Sequence, residues 1–153
     1  MFKKSFDKKF TKLSKSMVEY AFEYVNFDKV NIESIYLYCT YENNVFQVDY
    51  FFKINGQFIE RHKVNFGNLK YDTTDERQIQ IINACLKEFK SIIELFKKDK
   101  KEIPTQIKIE FNTKTENLNC KLDYEIHWSN TEDLLPEDIG NIWFEELKNS
   151  DIE

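Results

Sequence analysis

The sequence is poor in the residues that build most catalytic loops. It has three glycines, Gly56, Gly67 and Gly140, spread far apart. A loop that cradles phosphate needs several close together, so P-loop and dinucleotide-binding chemistry are excluded. Only two histidines occur, His62 and His127, and no H-E-x-x-H or G-x-S-x-G string is present. The three cysteines, Cys39, Cys85 and Cys120, show no C-x-x-C spacing, which argues against a zinc site. All three fall on apolar-patterned positions and read as reduced core thiols of a cytoplasmic protein. No apolar run approaches the roughly 20 residues needed to span a bilayer. Met1 to Asp7 lacks a following apolar stretch, so no secretory leader is expected.

What is abundant is aromatic and charged. The chain has 153 residues, fourteen Phe and eight Tyr, enough apolar surface for one core and a single domain over 1–153. The net charge of −5 is unevenly spread. Residues 1–16 hold six Lys and one Asp, whereas residues 116–153 hold eleven acids and two Lys. The acidic part suits a basic partner surface better than nucleic acid. A solvated acidic exterior is the plainer reading of the same count.

Phe2, Phe6, Phe10, Leu13, Met17, Tyr20 and Tyr24 recur at helical spacing, predicting a helix over 2–26. Strand-like runs follow at 34–42, 45–54 and 57–65, joined by Asn43-Asn44 and Asn55-Gly56. Both are two-residue hairpin signals. The implied register sets Tyr41 opposite Phe46, Cys39 opposite Val48, Leu37 opposite Tyr50 and Ile35 opposite Phe52. Ile59 falls beside Phe52. A helix over 72–101 is expected, with a Thr73/Glu76 capping box and a core stripe of Ile79, Ile82, Leu86, Phe89, Ile93 and Phe96. Two further strands are predicted, around Ile107–Phe111 and Cys120–Trp128. A last helix starts near Pro136, with Ile139, Ile142, Trp143 and Leu147 on one side. The order α-β-β-β-α-β-β-α predicts an α+β fold, an antiparallel sheet of about five strands with helices packed on it.

Parity places Tyr36, Tyr38, Phe51 and Phe58 on the sheet face opposite the core face. They are either a second core layer beneath a helix or exposed anchors for a partner. Asp49, Glu60, Asp123 and Glu125 share that face, without spacing diagnostic of a metal site. An aromatic sheet can bind single-stranded nucleic acid, but only with basic residues around it, and here acids predominate. His62 and His127 fall on polar strand positions. A His pair across a sheet could serve as general acid and base, and two ordinary exposed imidazoles are the simpler account.

Three strings carry a family resemblance. They are Ile35-Tyr36-Leu37-Tyr38-Cys39 with Tyr50-Phe51-Phe52-Lys53, then Lys121-Leu122-Asp123-Tyr124-Glu125, then Pro136-Glu137 through Trp143. With the element order, the chain resembles the YezG/EsaG-like immunity proteins of bacterial polymorphic toxin systems, from about Met17 to Leu147. The Lys-rich start looks like a local extension. The resemblance implies a toxin-neutralising role, typically against a secreted nuclease domain, with no cofactor and no catalytic residue.

The expected function is therefore that of a non-enzymatic immunity protein whose acidic and aromatic surface binds the C-terminal domain of a cognate toxin. The candidate binding residues are Asp123, Glu125, Glu132, Asp133, Glu137 and Asp138, then Tyr36, Tyr38, Asp49 and Phe51. No metal, no membrane and no direct nucleic-acid contact are expected. Two other classes remain: an adaptor binding a peptide at an open sheet edge, and a small hydrolase using His62 or His127.

Overall fold

A computed structural model of the chain describes residues 2–150, with side chains from Ser5 onward. It is an α+β fold in the order α-β-β-β-α-β-β-α. The elements are α1 (Phe2–Tyr24), β1 (Ile32–Glu42), β2 (Val45–Ile54), β3 (Gln57–Glu60), α2 (Asp75–Lys98), β4 (Gln106–Asn112), β5 (Leu118–Asp123) and α3 (Pro136–Ser150). The five strands form one antiparallel sheet ordered β3-β2-β1-β4-β5.

Both tight turns form as the sequence implies. Asn43, Asn44, Asn55 and Gly56 all take positive φ, matching the twist of the strands they join. The register follows: Tyr41 lies opposite Phe46, Cys39 opposite Val48, Leu37 opposite Tyr50 and Ile35 opposite Phe52. Ile59 lies opposite Phe52.

The core-facing side of β1 and β2 packs under α1 and α2, which run antiparallel. Phe6 meets Phe96 edge-on at 4.9 Å, and at the other end Arg77 lies 3.7 Å from Glu23. The opposite face is not left to solvent. α3 lies on it and buries Tyr36, Tyr38, Phe51 and Phe58 beneath Trp143 and Phe144. Of the two readings of those aromatics, the structure has the second core layer. Gly140 permits the close seating, because a Cβ there would come within 3.2 Å of the Tyr38 ring.

Four local expectations are corrected. The α2 cap is Thr74, whose hydroxyl accepts from the Arg77 N–H at 3.3 Å, one residue later than the Thr73/Glu76 box. In the α2 stripe, Phe89, Ile93 and Phe96 are buried as expected and Ile82 and Leu86 are half-buried, but Ile79 is exposed and Ile81, Cys85 and Ile92 are buried beside them. A helix sharing its apolar face between α1 and β2 centres that face where the two neighbours meet, which periodicity alone does not fix. β3 ends at Glu60, not at 65, and a 3-10 turn, Arg61–Lys63, follows. Arg61 draws the chain off the sheet edge: it ion-pairs with Asp49, lies over the Tyr50 ring, and its carbonyl accepts from Tyr24 Oη at 2.8 Å. β5 ends at Asp123, so Tyr124 to Trp128 do not continue the strand. His62 and His127 accordingly sit in the 3-10 turn and in a loop, not on strands.

The α3 seam yields a direct test. Trp143→Ala should cost about 3 kcal/mol or more, because it empties a packed aromatic layer. Ile142→Ala, next in sequence but exposed, should change stability by less than about 0.5 kcal/mol. Urea titration of the two variants decides it, and equal losses would mean that α3 does not seat through Trp143.

Candidate partner-binding surface

The segment 124–135 and α3 carry most of the predicted acidic residues, so what holds them matters first. Asp123 ends the last strand by accepting the Glu125 N–H at 2.8 Å. That contact comes first among the causes that hold its carboxyl below the ordinary range. The chain then crosses to the end of β1, where Glu42 is buried, 4 % exposed. Its carboxylate accepts the N–H groups of His127 at 2.9 Å, Trp128 at 3.3 Å and Ser129 at 3.0 Å. The Trp128 indole N–H donates to Thr40 Oγ1 at 2.9 Å. Burial would raise the Glu42 carboxyl, but these donors outweigh it and hold it below the usual value.

α3 begins at Pro136, an N-terminal position where a missing N–H is harmless. Asp138 accepts the Leu135 N–H at 2.8 Å, and Glu137 and Asp138 complement the positive end of the helix dipole. Trp143 and Phe144 point inward. Ile142, expected on the inner side, is 46 % exposed, and Leu135 one position before the helix is 56 % exposed. Leu135, Asp138, Ile142, Glu145 and Glu146 recur at helical spacing and make one outward stripe. Glu145 and Glu146 are exposed, so the stripe is apolar at its middle and acidic around it.

The predicted residues divide. Glu132 and Asp133 are exposed in the loop, and Glu137 and Asp138 stand at the start of α3. Asp49 and Glu137 come together from distant segments: both line a cleft of about 190 Å³ with Glu60, Arg61 and His62. Asp123 and Glu125 lie elsewhere, at the end of the outer strand β5 and just beyond it, where His127 sits 3.2 Å from Asp123. Tyr36, Tyr38 and Phe51 are 7 %, 1 % and 5 % exposed. They cannot serve as surface anchors while α3 is seated, and they act by holding α3 in place. Sequence reasoning missed Glu42, Arg61, Leu135 and the outward Ile142. Leu135 and Ile142, seven residues apart, were the available signal.

His62 follows β3 and His127 follows β5, the two edge strands, so they do not form a pair across a sheet. Burial raises the thiols of Cys39 and Cys85, the latter to about 12, which keeps them protonated and poor nucleophiles. Among the described residues, no three His, Cys, Asp or Glu side chains converge where they could hold a metal ion. No described helix is long and apolar enough to cross a membrane. In comparisons with known proteins, no family model and no curated protein matches this chain.

The Glu42 clamp gives a pH prediction. Its folded-state pKa is depressed, so its stabilisation is present at neutral pH and is lost as pH falls through the depressed value. Loosening should begin near the ordinary carboxylate pKa of about 4.3. The protection of the amides of residues 127–129, relative to their intrinsic exchange at each pH, should fall there in the parent chain. Glu42→Gln should be less stable by about 1–3 kcal/mol and lack that acid step. An unchanged acid step in Glu42→Gln would assign it to another group.

Proposed function

We propose that this chain is a bacterial immunity protein, working in the cytoplasm, that binds and neutralises the toxic domain of a cognate toxin, a nuclease by preference. The single observation that carries the reading is the outward stripe of α3. Exposed Leu135 and Ile142 lie among Asp138, Glu145 and Glu146, with Glu132, Asp133 and Glu137 close by in sequence. A nuclease binds a polyanion, so its working cleft is basic. An acidic inhibitor surface accelerates encounter and sets register, while apolar side chains at its centre supply the desolvated contact. The strings similar to YezG/EsaG-like proteins support the same reading. Lys121–Asp123 closes β5, Tyr124 and Glu125 lead into the loop, and Pro136 to Trp143 form the first half of α3.

On this reading the interior contributes rigidity, and the exterior contributes recognition. The Trp143 and Phe144 seam fixes the direction in which Ile142 points. The Glu42 clamp fixes the loop that carries Glu132 and Asp133.

The test is co-expression. The gene beside this one should encode a protein whose C-terminal domain arrests growth, and this chain should restore it. Glu145→Lys with Glu146→Lys should slow association about tenfold or more and flatten its salt dependence. Both side chains are exposed, so the fold should persist. Toxicity undiminished by the parent chain would overturn the reading. So would hydrolysis of nucleic acid by the purified chain alone.

A further inference from the structure

Half of the twenty lysines lie in two segments 70 or so residues apart, and the antiparallel packing of α1 on α2 brings these to one end of the helical layer. Over residues 7–16 and 87–101, ten lysines face four carboxylates, Asp7, Glu88, Glu94 and Asp99. All ten lysines are exposed. A groove of about 720 Å³ runs between the helices, lined among others by Lys9, Lys12, Leu13, Leu95, Lys97 and Lys98. Along α1, Lys8, Lys12 and Lys15 form a row about 10 Å long at 1.5 Å per residue.

Only part of this charge serves the fold: Lys90, Lys97 and Lys101 lie over the rings of Phe46, Tyr41 and Phe6. The lysines ending α2 complement its negative end, but those of α1 stand near its positive end, and no acid occupies its first turn. Lys8 with Lys12, and Lys9 with Lys12, are like-charge neighbours of the kind that weakens a helix. Lys97 has Glu94 at 3.5 Å, and Lys8, Lys9, Lys12, Lys15 and Lys98 are exposed.

We propose that this groove binds the phosphate backbone of a nucleic-acid duplex, independently of base sequence. The composition of the face selects that occupant. Its exposed charged side chains are ammonium groups with the single carboxylate Glu94 among them, and its apolar side chains are two, Leu95 at 9 % exposed and Leu13 half-buried. A protein partner, including the acidic face of a second copy, needs a larger desolvated apolar centre with an aromatic or aliphatic anchor, and Leu13 and Leu95 are the only apolar residues lining this groove. A membrane surface would need an apolar anchor beside the charge, and the apolar stripe of α1 is committed to the core. Phosphate contact needs only correctly spaced point charges. The two chain segments, read separately, were a basic start and a helix end; only together do they make a polyanion site. The site lies on the opposite side of the sheet from α3, so it does not depend on how α3 binds a partner.

Fluorescence anisotropy with the full chain and labelled DNA and RNA duplexes of about 20 base pairs tests it. If about four phosphates are neutralised, affinity should fall about 100-fold between roughly 50 and 200 mM salt. The exposed triple change Lys9→Gln, Lys12→Gln and Lys98→Gln should lower the salt slope by two to three contacts, about 2–3 in log–log units. Lys114→Gln with Lys148→Gln, outside the groove, should leave it unchanged. The proposal fails if neither duplex binds at low salt, or if the triple variant binds as the parent does. It also fails if neither duplex binds while phosphatidylserine vesicles do, or while sedimentation shows salt-labile self-association lost in the triple variant. Toxin neutralisation by the same variant should be intact, which separates this proposal from the role assigned to α3.

Discussion

β1 is covered on both faces, and the rest of the molecule is arranged by that constraint. Ile35, Leu37 and Cys39 face α1 and α2, while Tyr36 and Tyr38 face α3, and all five are buried. A strand in that position has no solvent side on which to leave polar groups. Thr40 and Glu42 therefore need internal partners, and they find them in Trp128 and in the backbone of residues 127–129. The same burial thus recruits α3 as a lid on the aromatic layer and ties the preceding loop to the sheet.

The consequence is a molecule with two electrical sides. One end of the α1–α2 layer carries an excess of lysine, and α3 with its loop carries an excess of carboxylate. The sheet between them keeps the two sets apart, so they do not neutralise one another by direct pairing. On the two proposals made above, each side attracts a different partner by long-range electrostatics.

Some of this was legible in the chain because the signals were local. Asn43-Asn44 and Asn55-Gly56 tolerate positive φ, so they set two hairpins, and the two-residue loops then set the register from Ile35 to Phe52. Pro136 marked the start of α3. Where several residues compete for one neighbour, local signals failed. Thr73 and Thr74 were both credible caps, and Ile79 and Ile81 were both at helical spacing. Cys120 to Trp128 alternate through the full run, yet Asp123 and Glu42 end the strand early by taking backbone donors from the residues beyond it.

The sequence by itself determined the element order, the strand register and the unequal distribution of charge along the chain, because hydrophobic period and turn chemistry act within a few residues. Tertiary structure alone decided which surfaces stayed outside. Tyr36, Tyr38 and Phe51 could equally have been anchors until α3 lay over them, since burial depends on what arrives from a distant part of the chain. Ile142 was turned outward, and the lysines of residues 8–15 and 87–101 became one face, for the same reason: helix packing joins segments that have no contact in sequence.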